Sequence, residues 1–330
     1  MEVVPPEGQA IPQQCTSDGD LALSAFRCAE KRYKLYRYDR RTARRTHVPE
    51  TDFSDVVDFH CLETNTEKNR SLIGVLDGFD DAHVKCFTFA GVPGLLVFSQ
   101  AISETDQQEL CRDALLEYGD SQRHPNHLST HASKPRSTTR YEPPMRWATL
   151  GFSYNWTLKS YCKERYSPFP QRLRKHIKRI VSLLSKTPLL KANDPLVFEP
   201  QTSIVNYYPV GSMLMAHQDV SEELIQQPLI SISLGCSCVF LMGTPSRDDA
   251  PYAFWLRSGD VAVFCGPSRT AFHSVPRIMD DCPPHLCTLT GDISGDQDEG
   301  EAYWREQMRH MRLNINVRQV FADSCGFLFE

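Results

Sequence analysis

Leu229-Ile230-Ser231-Ile232-Ser233-Leu234-Gly235 alternates branched apolar residues with serine. That period of two belongs to a strand with different chemistry on its two sides. Short apolar runs follow at 239–242, 253–256 and 261–264, separated by Gly243, Ser258-Gly259-Asp260 and Gly266-Pro267. Short strands punctuated by turn residues predict an all-β sandwich or barrel from about residue 201. A last run, 311–321, places Arg312, Asn314, Asn316 and Arg318 on one side and Leu313, Ile315 and Val317 on the other. The acidic segment 291–301 before it reads as a surface insertion.

Upstream the pattern is mixed. Residues 87–98 read as strand material broken at Gly91 and Gly94, and Ser103 with Asp106 resembles a capping box. Leu110, Ala114, Leu115 and Tyr118 then recur at helical spacing until Gly119. A second helix, about 171–186, turns Leu173, Ile177, Ile180 and Leu184 inward and Arg172, Arg174, Lys175, Lys178 and Arg179 outward. The polar stretch 120–140 reads as a surface loop and 61–85 as a linker. Residues 1–20 read as disordered, followed by a basic segment, 21–45, with Tyr33, Tyr36 and Tyr38 interleaved. Arg40, Arg41, Arg44 and Arg45 can hold a phosphate backbone, but an exposed helix with inward tyrosines is favoured. The expected fold class is therefore mainly β with flanking helices (α+β). An N-terminal extension with a basic helical part spans 1–85 and a compact domain spans 86–330.

The 330 residues carry 36 Lys and Arg against 41 Asp and Glu, a formal charge of −5, so any contact with nucleic acid must be local. A hydrophobic content of 41% supports a large core. The 12 cysteines are scattered without zinc-ligand spacing and read as reduced thiols, a second metal at Cys236/Cys238 or Cys282/Cys287 being disfavoured. No stretch approaches the roughly 20 apolar residues of a membrane span. With no apolar leader, and no Lys or Arg in residues 1–20, the expectation is an intracellular protein of nucleus or cytoplasm, the mitochondrion remaining open. A monomer is expected as well, without a sequence feature that fixes it.

The chemistry starts at His217-Gln218-Asp219, two candidate ligands spaced to project to one side of an extended strand. His273, in Phe272-His273-Ser274, supplies a third. Two histidines and one carboxylate suit iron(II), because they leave positions open for an oxoacid and dioxygen. His-x-Asp alone is a weak motif, since most histidines serve structure. Arg312 and Arg318 strengthen it: guanidinium binds carboxylates bidentately through hydrogen bonds worth about 1.5–3 kcal/mol each. Asn206 and Tyr208 lie two apart just before His217 and can donate to the same cosubstrate. An ordinary strand with a solvated polar side has the same alternation as 311–321.

Taken in order, Asn206-Tyr207-Tyr208, His217-x-Asp219, His273 and Arg312-x-Asn314-x-x-x-Arg318 resemble the AlkB family of dioxygenases, most closely its animal homologue 1 type. The resemblance extends through Phe89-Ala-Gly-Val-Pro-Gly94, the stretch Trp147 to Trp156, Tyr166-Ser-Pro-Phe-Pro170 and Gly259-Asp260. It implies a double-stranded β-helix (jelly roll), its core at about 200–325 and a lid at about 120–170. It implies Fe(2+) on His217, Asp219 and His273, and 2-oxoglutarate on Asn206, Tyr208, Arg312, Asn314 and Arg318, with O2 as co-substrate. Phe152, Ser153, Tyr154 and Arg247 match positions near the family's substrate. Between Asp120 and Tyr141 the sequence departs from the pattern, with no lid tryptophan to match.

The activity implied is oxidation of methylated bases in nucleic acid: 1-methyladenine or 5-methylcytosine in tRNA, or N6-methyladenine in unpaired DNA. Bases must leave their stack to react, which favours loops and single strands. A protein demethylase or hydroxylase with the same iron chemistry is one alternative. A catalytically inactive module that binds modified RNA is another, disfavoured by the complete ligand set.

Overall fold

The computed structural model describes residues 23–39, 44–48, 50–76, 84–120, 124, 146–188, 196–289 and 296–322. The N-terminal part holds α1 (Ala25–Tyr33), β1 (Tyr36–Asp39), β2 (Arg44–His47), a 3₁₀ turn at Leu62–Thr64, α2 (Glu67–Arg70), β3 (Ile73–Leu76), β4 (Lys85–Phe89) and β5 (Leu95–Ser99). Then come α3 (Glu104–Asp113), a π-helical turn (Ala114–Tyr118), β6 (Trp147–Asn155), β7 (Ser160–Ser167) and α4 (Gln171–Ser185). The remainder is β8 (Thr202–Pro209), β9 (Leu214–His217), β10 (Leu229–Gly235), β11 (Cys238–Met242), β12 (Tyr252–Leu256), β13 (Val261–Phe264), β14 (His273–Ile278), α5 (Pro284–Cys287), α6 (Asp296–Met308) and β15 (Met311–Arg318).

Strands β8 to β15 divide between two antiparallel sheets. The larger runs β3-β4-β5-β13-β10-β15-β8-β6-β7 and the smaller β12-β11-β14-β9. Of the last eight strands, β8, β10, β13 and β15 lie in the larger sheet and β9, β11, β12 and β14 in the smaller. That interleaving is a double-stranded β-helix. The apolar sides of β10 and β15, with Ile230, Ile232, Leu234, Leu313, Ile315 and Val317, pack outward beneath α3, α4 and α6. Their polar sides, with Ser231, Ser233, Arg312, Asn314 and Arg318, thereby face the second sheet and line the inside of the barrel. Helices cover the oily side; the pocket takes the polar one.

Two helices follow their sequence signals. Ser103 Oγ accepts the Asp106 amide at 3.2 Å, which starts α3, and Leu173, Ile177, Ile180 and Leu184 of α4 are buried. Arg174, expected to face outward, is instead buried, its guanidinium lying over Phe169 and paired with Glu199. The end of the first helix widens into a π turn at Ala114–Tyr118, where the Tyr207 hydroxyl donates to the Ala114 carbonyl at 2.6 Å. A side chain inserted into the helical ladder is an ordinary cause of such widening.

The N-terminal reading needs correction. The helix expected across the basic segment stops at Tyr33, and β1 pairs with β2 in register Tyr36↔His47 to Asp39↔Arg44. Alternating Tyr36, Tyr38 and Thr46 fit a strand better than a helix. Arg40 and Arg41 lie outside the described residues, as do residues 1–20 and most of 120–140. Residues 61–85 are no plain linker: they contain α2 and β3, and β3 extends the large sheet by pairing with β4. Phe26 and Val57, both fully buried, pack on the small sheet, so the chain joins the barrel well before residue 86. The acidic insertion is partly helical, since α6 begins at Asp296. No helix of the described residues is long and apolar enough to cross a membrane.

Candidate metal centre and cosubstrate pocket

β9 ends at His217 and pairs with β14, where His273 stands opposite His217. Asp219 follows as the chain leaves the sheet, and ligand atoms of the three residues lie within 4.8 Å of one another. His217 Nδ1 lies 2.9 Å from the Met215 carbonyl and His273 Nδ1 lies 3.2 Å from the Ala271 carbonyl. A carbonyl only accepts, so both Nδ1 atoms carry a proton, and in the neutral tautomer this selects the lone pair sits on Nε2, where a metal binds. Those Nε2 atoms approach Asp219 at 3.9 and 3.6 Å. Burial and the neighbouring His273 push His217 down to about 4, which keeps it neutral and ready to coordinate. Phe240 and Phe264 pack on the His273 ring with centroids at 5.9 and 5.3 Å, giving the centre an apolar wall. Two imidazoles and a carboxylate on one side of a partly buried site suit iron(II).

The register places the expected cosubstrate residues side by side. β15 pairs with β8 so that Arg312 faces Tyr208 and Asn314 faces Asn206. Arg312 is 1% exposed; its Nη2 donates to Ser233 Oγ at 2.9 Å, while its Nε and Nη1 have no hydrogen-bond partner. No carboxylate among the described residues forms an ion pair with it. Tyr208 Oη is also buried without a partner, and burial keeps that phenol protonated as a donor. An unpaired buried guanidinium costs several kcal/mol, so this pocket is built for an anion. Asn314 is committed otherwise, its amide donating to Ser231 Oγ at 2.8 Å and to the Ile232 carbonyl at 3.1 Å.

Arg318 sits beside the metal ligands. Its Nη2 lies 2.8 Å from Asp219 Oδ2, its Nε 3.0 Å from Glu222 Oε1, and its Nη1 donates to the Tyr161 hydroxyl. Burial alone would raise the Asp219 pKa, but Arg318 and the two histidines hold it well below the usual range. Glu222 pairs also with Arg269 at 2.8 Å, and Arg269 donates to the Asp219 carbonyl. Two carboxylates and two guanidiniums thus balance, leaving Arg312 as the buried positive charge without a counterpart. The sequence reading missed Glu222 and Arg269. A carboxylate three residues after Asp219 and an arginine in a Pro-Ser-Arg-Thr turn look like surface charges, and only the fold buries them.

Residues 94–318, more than half of the chain, match the model of the 2OG-Fe(II) oxygenase superfamily. The chain belongs to that superfamily. The tRNA demethylase abh1 of Schizosaccharomyces pombe is 30% identical over 90% of this chain and 96% of its own. The DNA N(6)-methyladenine demethylase ALKBH1A of Arabidopsis thaliana is 28% identical over 92% and 97% respectively. The nucleic acid dioxygenase ALKBH1 of Mus musculus is 35% identical over 56% of this chain and 49% of its own. These relatives put the oxygenase in the AlkB group.

On the substrate side the oxygenase departs from the sequence reading. Phe152 is 3% exposed and is packed edge-on against Tyr166 and Phe321, both at 4.9 Å, so it serves a small core that joins the lid to the segment after β15. Ser153 is buried with its hydroxyl unpartnered, and the irregular register of β6 beside it, with Gly151 at φ +74°, breaks the alternation that would have placed it by parity. Trp147 stands opposite Asn206 of the pocket and packs at a tilt against Trp156, centroids 4.8 Å apart, which makes it a rim residue that was passed over. Tyr154 is half-buried and bonded to Ser221 at 3.0 Å, two residues beyond Asp219. Arg247 has other work: its Nη2 donates to the Ala216 carbonyl at 2.9 Å and its guanidinium lies over Phe272. All ten described cysteines are free thiols, and the only group of described residues with metal geometry is His217, Asp219 and His273.

Proposed function

We propose that the oxygenase removes or oxidises methyl groups on nucleic acid bases, with tRNA and unpaired DNA as its substrate classes. The observation that carries the reading is the pairing of a His217–Asp219–His273 centre with an uncompensated Arg312 in one barrel. The first suits iron(II) and the second a dicarboxylate. The fission yeast tRNA demethylase and the Arabidopsis DNA N(6)-methyladenine demethylase support a methylated base as substrate, and the mouse nucleic acid dioxygenase supports nucleic acid as its carrier.

His217, Asp219 and His273 hold the iron. Arg312 and Tyr208 take one carboxylate of 2-oxoglutarate, Asn206 and Asn314 flank it, and Arg318 keeps Asp219 ionised and aimed. When bound, iron(II), 2-oxoglutarate and O2 supply the oxidation of a methyl C–H bond, 2-oxoglutarate leaving as succinate and carbon dioxide. Phe240 and Phe264 keep water from one side of the centre. Trp147 and Tyr154, joined through Trp156, border the mouth through which an unstacked base enters, aromatic faces there being able to stack on any base.

The test is mass spectrometry of methylated nucleosides in total tRNA, and separately in methylated single-stranded DNA, with iron(II), ascorbate and 2-oxoglutarate. Loss or oxidation of a methylated nucleoside by the native protein, absent in Asp219→Ala, is the expected result. No change in either nucleic acid, with no succinate formed, would overturn the reading.

A further inference from the structure

His217 is the most exposed of the three candidate ligands, 34% by side chain against 8% for His273 and 15% for Asp219. It also ends a four-residue strand, β9, at the edge of the small sheet, held on one side only by β14 through an irregular register. An edge strand presents a row of unpaired amides and carbonyls and is free to shift on that side. Here that side is occupied. The Ala216 amide donates to Glu30 Oε1 of α1 at 2.7 Å, and the Ala216 carbonyl accepts from Arg247 at 2.9 Å. One side-chain acceptor and one side-chain donor satisfy the two groups that a neighbouring strand would have bonded.

The clamp is itself braced. Glu30 is 1% exposed, and its other oxygen pairs with Arg27 at 2.7 Å. The Phe26 amide donates to the Arg247 carbonyl at 3.0 Å, and the Phe26 ring meets Phe272, the residue before His273, at 6.5 Å. Helix α1 therefore touches the chain next to both histidines, although it lies outside the residues matched by the family model.

We propose that Glu30 is a positioning residue for the metal centre: α1 stands in for a missing strand and fixes Ala216 so that His217 meets Asp219 and His273. The proposal rests on the reading of those three residues as iron ligands. Groups that orient ligands from behind change metal affinity 10- to 100-fold when removed. Anaerobic calorimetric titration with iron(II) compares native protein, His217→Ala, Glu30→Ala and Glu30→Gln, with hydrogen exchange at the Ala216 amide followed in each. The expected result for Glu30→Ala is iron(II) affinity lowered about 10-fold or more, with lost protection at Ala216. Glu30→Gln keeps an oxygen that accepts from Ala216 and is expected to stay within about threefold of native.

Unchanged iron affinity in folded Glu30→Ala overturns the proposal, as does a glutamine variant that falls as far as the alanine one. If Glu30→Ala does not fold, Arg247→Met removes the donor to the Ala216 carbonyl and is expected to weaken iron binding in the same direction. Unaltered affinity there would also overturn it. Native protein that binds iron(II) only with His217 present keeps the ligand reading whatever Glu30 does. Native protein that binds none removes both.

Discussion

Arg318 spans two carboxylates, its Nη2 2.8 Å from Asp219 and its Nε 3.0 Å from Glu222. It is 4% exposed, so its removal leaves the buried Glu222 with Arg269 alone and the largely buried Asp219 carboxylate without a guanidinium partner. Breaking a buried pair costs about 3–5 kcal/mol. Arg318→Met is expected to lower unfolding free energy by about 3 kcal/mol in urea titrations and to abolish turnover. Lysine should not rescue it, because one ammonium cannot bridge both carboxylates in the geometry of a planar fork. Native stability in either variant would show that the network carries no charge balance.

Arg312 presents the opposite case. It has a hydroxyl partner but no carboxylate among the described residues, so the protein by itself holds this buried charge at a cost. Arg312→Met is expected to leave the protein without cosubstrate as stable as native, or more stable by about 1 kcal/mol, since apolar replacements of buried charges are commonly neutral or better. The same variant should lose stabilisation by 2-oxoglutarate. A ligand at 100 times its dissociation constant adds about 2.7 kcal/mol to a protein that binds it. Thermal melts with and without 2-oxoglutarate, in the presence of manganese(II), read both quantities. A large loss of stability without cosubstrate would mean that Arg312 is a structural residue.

The period-two pattern made the strands legible, and the pairing of Arg312 with Asn314 and Arg318 on one side was legible too. Which side faced inward was not. Alternation in Ile230, Ile232 and Leu234 reads equally well as a sandwich core, and here those residues lie under helices while Ser231 and Ser233 line the pocket. His217 and Asp219 could be found because their spacing is local; Glu222 and Arg269 could not, because nothing in their neighbours signals burial. Phe152 and Tyr154 looked equivalent two residues apart, yet Val320 and Phe321, far along the chain, draw one of them into a core. Residues 61–85 looked like linker because elements of three and four residues leave too short a period to detect.

A pH effect should come from Asp58, whose carboxylate takes two hydrogen bonds from Arg257 at 2.9 and 2.6 Å. Burial would raise its pKa, but Arg257 and the amides of His60 and Cys61 outweigh this and lower it. A depressed carboxylate contributes stability that is complete above the unfolded pKa, about 3.9, and lost as pH falls through the folded value. Asp58→Asn should therefore cost about 2 kcal/mol at pH 7, Arg257 being a third exposed and partly screened. The gap between variant and native should narrow below about pH 4. A gap that stays constant down to pH 2 would exclude this pair as its source.

Phe26 tests whether the N-terminal helix belongs to the barrel. Its ring is fully buried among Val239, Leu241 and Ala253, which lie on the side of the small sheet that faces away from the pocket. Cutting a buried phenylalanine to alanine costs about 3–5 kcal/mol when the hole cannot collapse, and β11, paired on both sides, has little freedom to move in. Two outcomes separate the architectures. If α1 were a loosely attached extension, Phe26→Ala would release the helix alone, with amide exchange rising in 25–33 and the midpoint of barrel unfolding unchanged. If α1 is a layer of the barrel, the same change lowers the whole unfolding transition by about 3 kcal/mol. It should also raise exchange at Ala216, because Glu30 rides on the same helix. The second outcome is expected, since the residues that Phe26 covers would otherwise form an exposed apolar patch beside an edge strand, a combination that promotes association. A chain begun at residue 86 should for that reason elute as aggregate in size-exclusion chromatography. Recovery of that shortened chain as a folded monomer would sink this account of α1.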